Sequence, residues 1–332
     1  MRRTMKLLGL MMVCLFMGGY AGVSHSAEPE ITLRYAGDLP IGNHLTRGQE
    51  FFAKRVEEIG KGRVKVEVFP AGQLYTAKDY PKALPSGALD MAQCALDKWG
   101  GMVPAVTVLS LPFLFDSWSH IWRMADSKGG EAIKMEMEKA NVRSLFWMQD
   151  SSSAFAAKEP LKKLDDFRGK RIRAFDEVSA HTIEALGGTP AYLSGGEVYM
   201  ALQRGTIDGG ISSFTSFVDR KYFEVTKHIT VTPFMLPMYL GMMNLKKWNE
   251  LPPDVQKIIL TAGKETQEWG RKEIQKMDRE ALKVLKSKME VYHLPKAEQE
   301  SWRKACKPVY DLFLQKRGES GRELLELAGK AR

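Results

Sequence analysis

Ile31-Thr-Leu-Arg-Tyr-Ala36 and Val64-Lys-Val-Glu-Val68 bracket an amphipathic stretch at roughly 45–59, and that succession points to an α/β protein. Apolar residues alternate in both outer runs, the period of a strand with one face buried. Between them Phe52, Val56 and Ile59 recur at helical spacing. Thr46 and Gln49 stand at capping-box spacing, and Gly60 stops the helix. A β-α-β unit of this kind implies parallel strands joined by a right-handed crossover.

The alternation continues along the chain. The pattern predicts a helix at about 77–86, a strand over Leu89-Asp-Met-Ala-Gln93, a helix from about Ser119 and a strand over Arg143–Met148. A second αβ set covers 170–232, and the apolar run Pro233–Asn244 reads as a strand returning to the first set. Pro252-Pro253 then opens a helix to about Lys288, with Val255, Ile258, Ala262 and Leu285 on its inner stripe. At 1.5 Å per residue it would run about 50 Å, longer than one lobe, and so brace two. A helix pair near 295–317 and 319–330 finishes the chain.

At the N-terminus Met-Arg-Arg-Thr-Met-Lys precedes an apolar run from Leu7 to Met17, and Ser24-His-Ser-Ala27 offers a small-residue cleavage site. That is the layout of a secretory signal peptide over 1–27, which points to the periplasm. The apolar run is roughly half the length a membrane span needs. The formal charge of +9 includes Arg2, Arg3 and Lys6. The mature chain therefore carries about +6, spread among acids on solvated helix faces, which argues against a nucleic-acid partner. Beyond Cys14, only Cys94 and Cys306 remain, and they read as two separate buried thiols rather than a disulfide framework. The length suffices for two α/β lobes, each with its own core.

Arg171-Ile-Arg-Ala-Phe175 alternates as another strand, with Ile172 and Ala174 on one face and Arg171, Arg173 and Phe175 on the other. A guanidinium aimed inward at a strand end matches the planar fork of a carboxylate. No nucleophile, metal cluster or phosphate loop accompanies it, so the site is one for binding. The His residues show no metal-ligand spacing, and Ser194-Gly195-Gly196 is not a hydrolase elbow. Neither an enzyme nor a cofactor is expected.

Several motifs in fixed order carry a family resemblance: Pro70-Ala-Gly-Gln-Leu74, Ser110-Leu-Pro-Phe-Leu-Phe-Asp116, Gly169-Lys-Arg-Ile-Arg173, Glu197-Val-Tyr-Met-Ala-Leu-Gln203 and Gly205-Thr-Ile-Asp-Gly209. Across the mature chain they resemble the solute-binding proteins of tripartite ATP-independent periplasmic (TRAP) transporters, dicarboxylate-binding type. The resemblance implies two α/β lobes with a ligand cleft between them and a long helix across both. On the strand reading, lobe I takes 28–149 plus 238–280, and lobe II takes 150–237 plus 281–332 with the C-terminal helices. It further implies hinged closure on a small organic acid and delivery to membrane permease subunits. Presentation to a sensor protein is the alternative role, and oligomeric state is left open.

By the same resemblance, the carboxylate-binding arginine falls on Arg173; the plainer reading is a surface strand arginine paired with Asp176 or Glu177. Relatives often carry a second arginine where this chain reads Gln149–Lys158, which offers Ser153 instead. An aromatic is replaced by Gly195-Gly196, and an asparagine by about Ser212. Loss of a cation and of bulk favours a monocarboxylate (a 2-oxo, 2-hydroxy or aromatic acid) over a compact C4-dicarboxylate, because an unpaired buried charge is costly. Strand-end loops add Gln73, Tyr75 and His44, the last equally readable as a helix-capping histidine. Trp147 is a candidate for an apolar wall, against the plainer expectation that such rings fill the core, and Phe214 flanks the Ser212 loop.

Overall fold

The computed structural model describes residues 29–332; the signal-peptide expectation and Cys14 lie outside them. In chain order the strands are β1 (Ile31–Gly37), β2 (Val64–Phe69), β3 (Met91–Ala95), β4 (Val142–Gln149), β5 (Ser153–Ala157) and β6 (Arg171–Ala174). There follow β7 (Thr189–Tyr192), β8 (Gly209–Ser213), β9 (His228–Val231), β10 (Met238–Asn244) and β11 (Glu290–His293). They form two mixed sheets, ordered β2-β1-β3-β10-β4 and β11-β9-β5-β8-β6-β7.

The opening β-α-β unit is present. β1 pairs parallel with β2 and β3, and α1 (His44–Gly60) makes the crossover. Its cap differs from the capping-box expectation. Asn43 caps the helix, its side chain accepting from Leu45 N at 2.9 Å. Thr46 and Gln49 instead donate to the carbonyls of Leu39 (3.2 Å) and Ala36 (3.0 Å), which pins the loop that bears Asp38. The helix expected over 77–86 shrinks to α2 (Tyr80–Ala83): Leu84 keeps helical angles, but Pro85 has no N–H to continue the hydrogen-bond ladder.

β10 lies antiparallel between β3 and β4, and all seven of its residues are buried. The Met-rich run is therefore sheet core, where thioether chains fill irregular gaps. Helices α3 (Trp118–Ala125) and α4 (Lys128–Lys139) follow on the first sheet's side of the chain path. The second sheet carries α5 (Glu177–Ala185), α6 (Val198–Arg204) and α7 (Phe214–Asp219).

After α8 (Leu245–Glu250), α9 (Pro253–Lys288) runs for 36 residues. That is about 54 Å. It packs against α1 and β4, then against α7, before the chain enters β11. The chain thus passes between the sheets three times, at β4–β5, at β9–β10 and along α9.

The final helices, α10 (Lys296–Ala305) and α11 (Lys307–Lys330), break at Cys306 and again at Gly318, whose φ of 55° ends helical geometry. Trp302 is fully buried, edge-on to Phe155 and Phe167. His120 Nε2 donates to the carbonyl of Ala328 (2.9 Å), and Arg123 Nε to that of Ala331 (2.6 Å). The C-terminus therefore joins elements of both sheets. Cys94 and Cys306 are free and buried, and burial pushes the Cys306 thiol up to about 12.

Glycine is demanded where β8 meets β5. A Cβ at Gly209 would fall 2.8 Å from both the Ala156 carbonyl oxygen and the Ala157 Cβ, so backbone must move. Gly209→Ala is expected to cost about 1–3 kcal/mol by overpacking. Chemical denaturation checks it; an unchanged midpoint would mean that the strands separate freely there.

Candidate functional site

Strand ends from both sheets converge on a cleft of about 710 Å³. Ligands in α/β proteins bind at such carboxyl ends because the loops there are free to carry polar groups. Asp38 enters from the end of β1, Asp97 and Lys98 from the end of β3, and Arg173 from β6. Ser212 and Ser213 end β8, and the crossings contribute Asp150, Ser153 and Tyr239.

Arg173 is 8% exposed, and two carbonyls, one in β8 and one just past the end of β7, receive it. Its Nε donates to Leu193 O at 3.0 Å and its Nη1 to Ile211 O at 2.7 Å. These bonds hold the fork, with the guanidinium carbon 5.3 Å from the Phe175 ring centroid. Burial, with Arg220 adding to it, lowers the Arg173 pKa from its ordinary value. A guanidinium nevertheless stays charged in a protein. Among the described residues no carboxylate lies within 4.0 Å of it. Among the described residues Nη2 has no hydrogen-bond partner, and Arg173 lines the cleft.

The remaining charges are arranged in layers. Lys98 Nζ binds Asp97 Oδ2 at 2.6 Å and donates to the Phe175 carbonyl at 2.9 Å, reaching from one sheet to the other. Among the described residues Asp38 Oδ1 has no hydrogen-bond partner, and burial raises the Asp38 pKa to about 6. The folded state then binds an extra proton between about pH 4 and 6, so the contribution of Asp38 to stability falls as pH rises through that window. Asp38→Asn is expected to be more stable than the parent at pH 7.5 by on the order of 1–2 kcal/mol, discounted for the edge open to the cleft. The advantage should vanish by pH 4. Denaturation at both pH values checks this, and an advantage independent of pH would remove Asp38 as its source.

Arg173, Ser153, Gly195 and Ser212 come together at the cleft wall. Other sequence candidates stand elsewhere. Gln73 and Tyr75 are exposed on the loop whose Gly72 and Thr76 edge the cleft, and neither forms its wall. His44 is buried behind Asp150, its Nε2 donating to Gln149 O (3.1 Å) and lying 3.8 Å from Asp150 Oδ1. Trp147 and Phe214 are core residues, 2% and 4% exposed, because each faces a packed interior rather than the opening. Asp176 caps α5, accepting from Ser179 N at 2.7 Å, and is committed to that backbone.

Gly195 requires a larger correction. The space that its missing side chain would fill is taken by the guanidinium of Arg220. The cleft has not lost its second cation; Arg220, in the turn after α7, supplies one from another direction. The spare room is beside Gly196, where a Cβ would meet nothing within 4 Å. Arg220, Lys98, Asp97 and Asp38 were missed by sequence reasoning. The strand-end rule that selected Gln73 also points to Asp38 and Asp97, but no local signal marks Arg220.

Bacterial extracellular solute-binding protein, family 7 (DctP), matches residues 39–317. The chain belongs to this family. A relative named C4-dicarboxylate-binding periplasmic protein DctP, from Rhodobacter capsulatus, is 28% identical over 323 residues, covering 95% of this chain and 96% of its own. Among solved structures, a TRAP periplasmic solute-binding protein from Sulfitobacter sp. NAS-14.1 with bound β-D-galacturonate superposes with a TM-score of 0.85 at 25% identity, covering 90% of this chain and 99% of that one. Another, from Sulfurospirillum deleyianum DSM 6946 with bound succinate, gives 0.83 at 28% identity, covering 92% and 100%. The DctP-family chain described here therefore has the two-lobed α/β fold of TRAP solute-binding proteins, and it is a binding protein, not an enzyme.

Proposed function

We propose that this protein captures a small organic acid in its periplasmic setting, closes its lobes on it and delivers it to a TRAP-type membrane permease. The observation that carries the proposal is Arg173: a buried guanidinium at the cleft, fixed by two carbonyls and without a carboxylate partner among the described residues. An incoming carboxylate meets a pre-oriented fork and pays little ordering entropy. The relatives crystallised with galacturonate and succinate support the ligand class at that level. Export rests on the basic, apolar and small-residue layout of 1–27.

The case for a monocarboxylate weakens, because it assumed a missing cation and Arg220 is present. Asp38, with an unpartnered oxygen, suits a hydroxyl on the ligand instead, which keeps hydroxy acids in view. Hinged closure fits lobes joined by two strand crossings and one helix.

A thermal-shift screen of residues 28–332, unfolded and refolded to strip any carried-over ligand, tests the reading. At a hundredfold excess over Kd the bound acid should add about 2.7 kcal/mol. A clear rise with hydroxy or dicarboxylic acids is expected. No rise with any organic acid after refolding would overturn it.

A further inference from the structure

We infer that Arg220 is a second anion-recognition residue of the cleft and that Gly195 exists to admit it, so that the site prefers an acid with a second carboxylate over a monoanion of equal length. The inference rests on the organic-acid reading and deepens it.

Three observations converge. First, Arg220 lines the cleft, and among the described residues no carboxylate lies within 4.0 Å of it. The acids around the guanidinium pair are engaged or set back. Asp97 is taken by Lys98, Asp176 by the α5 backbone, and the neighbouring Asp219 by Asn43 Nδ2 at 3.2 Å. Asp38 faces Arg220 from the other sheet without contact at ion-pair distance.

Second, Arg220 and Arg173 act on one patch. Both lie within electrostatic reach of the buried Tyr222 hydroxyl, and each is a like charge to the other. A single carboxylate on Arg173 leaves the second guanidinium uncompensated. A second anionic group removes that cost and gains a charge-assisted bond.

Third, the backbone at Gly195 does not need glycine, since its φ lies outside the left-handed region. Only space does. A Cβ there would fall 2.5 Å from Arg220 Cζ and 2.9 Å from its Nη2. The loop cannot easily retreat: Tyr222 Oη donates to the Gly195 carbonyl at 2.7 Å, and Ser194 N and Oγ both donate to Glu197 Oε2, at 2.8 and 2.6 Å. A side chain at 195 would therefore evict the guanidinium from its seat.

The test uses pairs of saturated acids of three to six carbons, each dicarboxylate against the monocarboxylate of equal length, succinate and butyrate among them. Titration calorimetry would be run on the refolded parent, Arg220→Gln, Gly195→Ala and Arg173→Ala. The parent should favour the dicarboxylate of its best pair by about tenfold or more, in line with one charge-assisted contact. Both Arg220→Gln and Gly195→Ala should bring that ratio to within about threefold, at the expense of the dicarboxylate. Gly195→Ala does so with Arg220 still in the chain, which separates placement of the charge from its mere presence. A ratio that survives both substitutions, or a parent that favours the monoanion, overturns the inference while leaving the acid site intact. A parent that binds no pair overturns the inference, and an Arg173→Ala variant that binds like the parent overturns the acid site itself and the inference with it.

Discussion

Arg173→Ala is expected to weaken binding of any organic acid by about a hundredfold or more while the protein still folds. Truncating one partner of a buried, hydrogen-bonded charge pair costs roughly 2–5 kcal/mol, much of it the penalty on the charge left behind. Here the ligand carboxylate would be that charge. Lys98 is engaged by Asp97 and the Phe175 carbonyl, and Arg220 enters the cleft from another direction, so neither reproduces the lost fork. Arg173→Lys should recover only part of the affinity, because an ammonium keeps the charge but not the planar two-pronged geometry held by Leu193 and Ile211. Calorimetry on variants shown to be folded by circular dichroism is the check. Parent-like affinity in the alanine variant would place the acid elsewhere.

Asp278→Ala should produce the largest loss of stability, about 2–4 kcal/mol. Asp278 sits well inside α9, and its two oxygens collect the first lobe crossing. Oδ1 accepts from Ser152 N at 3.0 Å and from the Ser151 hydroxyl; Oδ2 accepts from the Ser152 hydroxyl and from Trp118 Nε1 at 3.2 Å. Hydrogen bonds to a charged acceptor contribute about 1.5–3 kcal/mol each, and losing the acceptor strands several donors at once. Asp278→Asn keeps the shape and some acceptors, so it should lose less. A denaturation midpoint for the alanine variant equal to the parent's would show that the crossing is held by other contacts.

The two-sheet architecture was legible in the sequence because strand and helix periods differ and both are strongly expressed at 31–68 and 253–288. Arg173 was legible for the same reason: alternation along a short strand fixes which side chains share a face. Asn43 was missed because capping-box spacing is only one of several ways to satisfy a helix start, and tertiary bonds to Leu39 and Ala36 claimed the competing side chains. Gly195 was misread more instructively. A missing side chain reads as open space in one dimension, whereas its space is filled by a residue 25 positions on. Asp278 posed a similar difficulty, since an acid on a long charged helix looks solvated until the partner crossing is known.

The last strands of the fold carry a consequence for how the chain must assemble. β10 belongs at the interior of a sheet whose other strands all lie before residue 150, and β11 closes the edge of the other sheet. The carbonyls of Ala328 and Ala331 then fasten onto α3. A chain emerging N-terminus first therefore has no complete sheet until residue 244 has appeared, and its final latch waits for the last residues. Contacts spanning such sequence distances form slowly, because loop closure precedes the energy gained. The topology itself delays folding: the order in which its strands arrive keeps the chain open until most of it has been made.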